Sequence, residues 1–400
     1  MISSDHSKFL VGNYAQPAIE IVRGKGTKVW DSEGKEYLDF TTGIAVTNLG
    51  HSHPHWIHSV TDQANEMVHC SNLFSIPEQV RLAKRLVEKI GPGKLIFCNS
   101  GAEANEGLLK LARLVGNKQG PQPKHKIVVA DNGFHGRTLG ALSATASPKY
   151  RTGFEPLLPF FDFVPLNDIE AFDKAIDLET SAVLVESIQG EGGIYEAEDH
   201  FLQELAAICA ARKVLLLLDE VQAGIGRTGE FLGFQKSGIL PHAVAMAKGL
   251  GGGFPIGAIW IGEEYADTFG AGSHGTTFGG SPLACSAANA VLDVIEEEDL
   301  IAATKSKGEY LKEKLLQLIP KYPALVHEVR GRGLMLALAL KLDPSPIVQQ
   351  LRDSGLLVVG AGGYAIRFLP PLNVQEEEID QAIHIVDTIF SNFKLKEVSS

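Results

Sequence analysis

Short apolar runs separated by longer helical patterns organise most of this chain. From Leu95 onward the runs are Leu95 to Cys98, Ile127 to Ala130, Val183 to Val185, Val214 to Leu218, Val244 to Ala247 and Ala258 to Ile261. Their alternation with helical segments predicts an α/β fold with a mostly parallel central sheet covered by helices on both faces. Open sheets of this kind take ligands beyond the carboxyl ends of their strands. Polar residues cluster just past these runs, so a site is expected along that edge.

The two ends of the chain read differently. Val29 to Phe40 (VWDSEGKEYLDF) predicts two short strands around a Ser32-Glu33-Gly34 turn. After about residue 300 come a charged helix near Lys305 to Leu318, apolar segments at Val326 to Leu340 and Leu356 to Val359, and a last helix from Val374 to Phe393. With no linker-like tract to mark a boundary, we expect a large domain over 46–300 and a smaller α+β domain built from 1–45 and 301–400.

Composition narrows the function. At 400 residues and 44% hydrophobic content the chain has ample material for a sizeable core. Its 36 Lys and Arg against 48 Asp and Glu give a net charge of -12, which argues against nucleic acid as the main partner and favours small molecules. Cys70, Cys98, Cys209 and Cys285 are widely spaced, without a CxxC pair or zinc-ligand cluster, as reduced thiols of a cytoplasmic protein would be. The stretch MISSDHSKFLVGNY does not read as a signal peptide, and no later segment has the uninterrupted length to span a bilayer.

The most informative stretch is Leu215 to Gly257. An apolar run ends in Asp219, and Lys248 then opens a loop reading KGLGGGFPIG. A carboxylate buried at the end of LLLLD needs a partner. A lysine leaving an apolar strand into consecutive glycines is partly desolvated, which favours the neutral amine. Together they suit the two ends of pyridoxal 5'-phosphate, with the lysine on the aldehyde and the carboxylate on the ring nitrogen. Asp219 could instead cap a turn or pair with Arg227. The glycine loop could suggest a nucleotide, yet it lacks both the Lys-Ser/Thr of a P-loop and GxGxxG spacing.

Four further motifs add chemistry, each with an ordinary alternative. NSGAEANE, Asn99 to Glu106, opens a helix whose free N–H groups around Ser100, Gly101 and Ala102 could grip an anion, although Ser100 could simply be an N-cap. In NGFHGRTLGA, Phe134 could stack on a flat ring and Arg137 could hold a carboxylate, or the two could be core and surface. ESIQGEGG brings Glu186, Gln189 and Glu191 onto a flexible loop, where solvated charge is the simpler reading. HGTTFGG frames Thr276 and Thr277 with glycines, as a phosphate contact or an ordinary turn would. Arg367, in the apolar strand AIRFLPPL, requires a carboxylate partner, with Glu191 a candidate.

Taken in order, SGAEANE, FHGRT, IQGEGG, DEVQAGIGRTG, AKGLGGGFPIGA, HGTTFGG and IRFLPPL resemble the class III, or ω-amino-acid, aminotransferases of the fold-type I pyridoxal-phosphate enzymes. The resemblance runs from about Tyr14 to Ile379. It implies Lys248 as the Schiff-base lysine and general base, Asp219 on the pyridine nitrogen, Gln222 near the ring hydroxyl, and Phe134 stacked on the ring beside Glu186 and Val221. Ser100, Gly101 and Ala102 would hold the phosphate, joined by Thr277 from a neighbouring subunit, so a homodimer with shared active sites is implied. Arg137 would take the substrate carboxylate remote from the reacting amine, with Thr276 and Tyr14 also against substrate. Arg367 would take the α-carboxylate of glutamate and be neutralised by Glu191 when the other substrate is bound.

Within the class, RGKGTKVWDSEGKEYLDFTTGIAVTNLGHSHP and VRGRGLMLAL are similar to the branch that moves the terminal amine of N2-acetylornithine to 2-oxoglutarate by ping-pong kinetics. Ile44 stands where the ornithine-using branch has a tyrosine, which argues against free ornithine. Ser187 and Ser281 replace the commoner proline and asparagine. The same cofactor residues would serve enzymes using 4-aminobutyrate, succinylornithine or ornithine, and an aminomutase is a more distant alternative. A dehydrogenase holding a dinucleotide in the glycine loop is a reading from another class.

Overall fold

The computed structural model describes residues 6–119 and 122–393. Its centre is a seven-stranded sheet: β1 (Gly93–Cys98), β2 (Lys126–Ala130), β3 (Phe161–Val164), β4 (Thr180–Glu186), β5 (Leu215–Asp219), β6 (Ala243–Met246) and β7 (Gly257–Gly262). The spatial order is β1-β7-β6-β5-β4-β2-β3. Pairings from β6 through β5, β4 and β2 to β3 are parallel, whereas β7 runs antiparallel to both β6 and β1. The predicted mostly parallel sheet is therefore present with one reversed strand. Every residue of β4 and β5 is buried, as strands covered on both faces must be.

β3 has no counterpart among the predicted runs. Its sequence, FDFV, alternates exposed acid with half-buried aromatic at the edge of the sheet, so it carries only half of an apolar signal. Of the predicted N-terminal strands, Lys28–Asp31 and Glu36–Asp39 pair antiparallel, and Ile21–Lys25 adds a third. Leu356–Leu357 joins that same sheet in parallel, placing Leu356 opposite Leu38. Val359–Ala361 leaves it to pair with Ala365–Phe368, which packs in turn against Met335–Leu340 and then Val326–Arg332. The single apolar segment read at Leu356 to Val359 is thus two strands in two sheets.

A buried arginine knits these sheets to the central one. Arg227 is fully buried and has no carboxylate partner among the described residues. Its guanidinium donates instead to Leu334 O at 3.1 Å, to Pro370 O, and to Asn48 Oδ1 at 2.8 Å. Desolvation lowers its pKa to about 9. Asn48 donates onward to Ile225 O at 2.9 Å and accepts at its own carbonyl from Leu372 N. Pairing between Arg227 and Asp219, one of the sequence alternatives, does not occur. Ser281 caps the helix Pro282–Glu297 by accepting from Ala284 N at 3.4 Å, a task serine performs as well as asparagine. Among the described residues no helix is long and apolar enough to cross a membrane.

Strand alternation sends Asp219 and Glu220 to opposite sides of the sheet end. Glu220 is completely buried and accepts from Gly233 N at 2.7 Å and Phe234 N at 3.1 Å. Burial nevertheless dominates and pushes its carboxyl up from 4.5 to about 7. A folded-state pKa above the unfolded value means that the native state holds the extra proton. The associated stability is complete below about pH 4.5 and is lost as pH rises through about 7. Glu220→Gln removes this titration, so thermal melts between about pH 5 and about pH 8 should show a shallower fall in Tm than the wild type. An unchanged slope would contradict the assignment.

Candidate active site

Six elements deliver side chains to one cavity of about 430 Å³ at the carboxyl edge of the sheet. It is lined by Ser100, Gly101, Ala102, Phe134, Arg137, Glu186, Glu191, Asp219, Val221, Gln222 and Lys248, all singled out in the sequence. Asn99, Asn105, His135, Val46 and the segment Gly253 to Ile256 complete the wall.

Asp219 ends β5, with the ladder to β6 closing on the bond from Glu220 N to Ala245 O at 2.9 Å. Its Oδ2 accepts from Asn105 Nδ2 at 2.7 Å and meets His135 Nδ1 at 2.8 Å, while Oδ1 accepts from Val221 N at 3.0 Å. The carboxylate is thereby fixed while Oδ1 keeps acceptor capacity toward the cavity. Burial alone would lower the His135 pKa, but the bond to Asp219 and its charge prevail and raise it. His135 thereby orients the Asp219 carboxylate at the end of the strand. Glu186, at the end of β4, accepts from Phe134 N at 3.0 Å and Gly190 N at 3.1 Å, and burial pushes its carboxyl up to about 7.

Neither His135 nor Asn105 was assigned a role from sequence. A signal did exist for Asn105: it is buried on the same helix as Ala104, Leu108, Leu111 and Ala112, and a polar side chain there needs a partner. No comparable signal existed for Val46, which follows a turn with left-handed φ values of 47°, 64°, 66° and 60° at Thr42, Gly43, Ile44 and Ala45. Left-handed backbone costs roughly 1–2 kcal/mol for each residue with a Cβ. Asp39 Oδ1 offsets this by accepting from Thr41 N, Thr41 Oγ1 and Thr42 N at 2.7 to 3.0 Å.

Lys248 also has a left-handed backbone, with φ 44°. The strain is held from both sides. A Cβ on Gly249 would lie 2.3 Å from Asn48 Nδ2, so only glycine lets the chain pass, and Trp56 Nε1 clamps Gly251 O at 3.1 Å. The Lys248 amine has no hydrogen bond or ion pair among the described residues. Burial first, and then the nearby Arg367 charge, lower its pKa, which favours the neutral nucleophilic form.

The helix α1 (Gly101–Gly116) points its N-terminus into the cavity. Ser100 is its N-cap, accepting from Glu103 N at 3.2 Å, so the capping reading holds. The N–H groups of Gly101 and Ala102 remain without acceptors among the described residues. A Cβ on Gly101 would lie 2.6 Å from Val221 Cγ1, so glycine is what lets this helix end approach β5. The cavity thus offers an unpaired amine, a hydrogen-bonded carboxylate with remaining acceptor capacity, an anion-ready helix end, and the apolar surfaces of Phe134 and Val221. That donor set fits the aldehyde, ring nitrogen, phosphate and ring faces of pyridoxal 5'-phosphate.

Arg367 lies behind the wall at 1% exposure. Its Nη1 donates to Glu191 Oε1 at 2.9 Å, Gln222 Oε1 at 2.8 Å and Gly190 O at 3.0 Å. Gln189 is turned away, donating to Asp131 O at 2.6 Å. Thr276 Oγ1 accepts from Asn99 Nδ2 at 3.1 Å at the margin of the site. Thr277 is exposed outside the cavity, and Tyr14, 82% exposed, lies away from it. A single chain does not bring these last two to the other site residues.

Comparisons with known proteins agree with this geometry. Residues 11–390 match the family described as Aminotransferase class-III. The acetylornithine aminotransferase of Caldanaerobacter subterraneus subsp. tengcongensis is 47% identical over 97% of this chain and 98% of its own. That of Methanocaldococcus jannaschii is 45% identical over 97% of both chains. Among solved structures, an ornithine aminotransferase from Toxoplasma gondii, with PLP at partial occupancy in its active site, superposes with a TM-score of 0.92 at 32% identity, covering 96% of this chain and 92% of the other. The acetylornithine aminotransferase of Elizabethkingia anophelis gives 0.86 at 32% identity over 97% of both chains.

Proposed function

This chain belongs to the class III aminotransferases, and from that premise we propose that it transfers the terminal amine of N2-acetyl-L-ornithine to 2-oxoglutarate, giving N-acetyl-L-glutamate 5-semialdehyde and L-glutamate. It is a pyridoxal-phosphate-dependent enzyme acting on an amine donor and a keto acid. The observation that carries the substrate reading is the pair of unlike arginines around one amine. Arg137 stands open on the cavity wall, whereas Arg367 is latched by Glu191.

Glutamate and 2-oxoglutarate carry two carboxylates and need both arginines, so Glu191 must release Arg367 when they bind. A donor whose reacting amine is terminal has no carboxylate at that end, and Glu191 stays on Arg367 to neutralise it. Its remote carboxylate then meets Arg137. One site thereby serves two substrates of different charge without an unpaired buried guanidinium in either state. Free ornithine is disfavoured by the resemblance, since Ile44 stands where the ornithine-using branch has a tyrosine, while an acylated nitrogen carries no charge to satisfy.

The cofactor, when bound, supplies the electron sink that makes the amine-bearing carbon acidic. Asp219, held in place by His135 and Asn105, would bind the protonated ring nitrogen. Gln222 and Glu186 would border the ring, Phe134 and Val221 would cover its faces, and Ser100, Gly101 and Ala102 would hold the phosphate. Lys248 Nζ, whose pKa burial lowers, takes the proton from the substrate carbon bearing the amine and later returns it. Because both substrates use one site in turn, with the first product leaving before 2-oxoglutarate enters, kinetics should be ping-pong.

We further infer a homodimer in the cytoplasm. Leu73, Phe74 and Phe278 are exposed at 87, 68 and 62%, and the loop carrying the first two is tied to HGTTFGG by Asn72 Nδ2 on Gly279 O at 3.0 Å. Exposed apolar surface of this kind beside a site calls for a covering partner. A second copy would cover it while lending Thr277, with Thr276 and Tyr14 beside the substrate. The small domain formed by 1–45 and 301–400 would then border the substrate, since it contributes Arg367.

In a donor panel with 2-oxoglutarate, acetylornithine should give a higher kcat/KM than succinylornithine, ornithine or 4-aminobutyrate; a higher value for any of the three would refute the substrate assignment. Lys248→Ala should lower kcat at least about a thousandfold with every donor, as loss of a general base does. The shared site has its own test. Hybrids of Lys248→Ala and Thr277→Ala chains should regain wild-type cofactor affinity at the sites that keep Lys248, because those receive an intact Thr277 from the other chain. Weak binding at those sites would place Thr277 in its own subunit's site.

A further inference from the structure

Arg137 lines the cavity yet makes no hydrogen bond or ion pair among the described residues. Ring surface holds it instead. Its Cζ lies 4.0 Å from the centroid of Tyr150 and 5.7 Å from that of Phe134. Tyr150 meets Phe134 edge-on, with centroids 5.4 Å apart and planes at 77°. Tyr150 is only half-buried, and its hydroxyl has no hydrogen-bond partner among the described residues. It lines a neighbouring cavity of about 540 Å³ that shares Phe134 and Glu191 with the first, so it is not simple core filling.

The contrast with Arg367 gives this arrangement its meaning. Arg367 Nη1 is committed to three oxygens, and a carboxylate can reach it only after Glu191 leaves. A guanidinium stacked on a ring keeps all five N–H donors in its plane and uncommitted. Stacking also removes the rotamer freedom that an unattached arginine would lose on binding.

We propose that Tyr150 is a positioning residue for substrate recognition: its ring face fixes the Arg137 guanidinium while leaving the donor fork free for the substrate's remote carboxylate. This rests on the reading that Arg137 takes that carboxylate, and it adds the device that keeps Arg137 ready. The hydroxyl takes no part in it. The same face orients Phe134 through their edge contact, so a single side chain sets the relation between carboxylate and ring sites.

The test is calorimetric titration of the loaded enzyme with glutarate, a dicarboxylate that cannot react. Tyr150→Leu should weaken glutarate about tenfold, and Tyr150→Phe should stay within about twofold of wild type. Arg137→Ala should also weaken it, and adding Tyr150→Leu to Arg137→Ala should cause no further loss, since the two act as one unit. Wild-type affinity in Tyr150→Leu, or an equal loss in the Arg137→Ala background, would overturn the proposal while leaving the Arg137 assignment intact. Wild-type affinity in Arg137→Ala would overturn both. Should Tyr150→Leu fail to fold, Tyr150→Phe remains decisive, because a tenfold loss there would make the hydroxyl the acting group.

Discussion

One carboxylate at the end of a fully buried strand sets the terms for the rest of this site. Asp219 is 4% exposed, at a depth where an ionised group survives only with partners. His135, Asn105 and the Val221 amide supply them, and together they keep the charge in place while leaving one oxygen facing the cavity. Lys248, lining the same cavity, has the opposite problem: an amine with no partner among the described residues, its pKa lowered by burial. A fixed carboxylate and an unpaired amine in one cavity are what a protonated ring carrying an aldehyde needs at its two ends.

Holding these groups requires strain, and the strain is locked by packing from the chain's two ends. Lys248 is left-handed, and Asn48 sits against Gly249 while binding Arg227, whose other acceptors are Leu334 and Pro370. The central sheet presents the chemistry, and the flanking sheets fix the backbone from which it is presented. The same division appears in the two arginines. Arg367 comes from a flanking strand and is latched, whereas Arg137 comes from the edge of the central sheet and stays open.

Much of this was legible in the chain, and the limits follow from physics. Strands β2, β4, β5, β6 and β7 announced themselves because strands buried on both faces must be continuously apolar, and β1, at the other edge, did so through the apolar run Leu95 to Cys98 at its end. Edge strand β3 did not, and neither did the split at Val358, because a period of two in four residues is too short to read. Lys248 and Asp219 were legible because each is a residue type whose ordinary role fits its setting poorly, whereas Phe134 and Arg137 drew their roles from the ordered set of motifs. His135, Asn105, Tyr150 and Val46 depend on neighbours as many as 114 residues away for Asn105 and Asp219, and no local pattern reports such a distance. Asn105 alone left a trace, as a polar residue in a buried helix.

The central claim is that Lys248 and Asp219 converge on opposite ends of one heterocycle. A diffraction map of the protein crystallised with pyridoxal 5'-phosphate tests it most directly. Density should run unbroken from Lys248 Nζ into the ring, with the ring nitrogen within hydrogen-bonding reach of Asp219 and the phosphate on the Gly101 and Ala102 amides. A ring nitrogen turned away from Asp219, or a cofactor seated without a link to Lys248, would contradict the account.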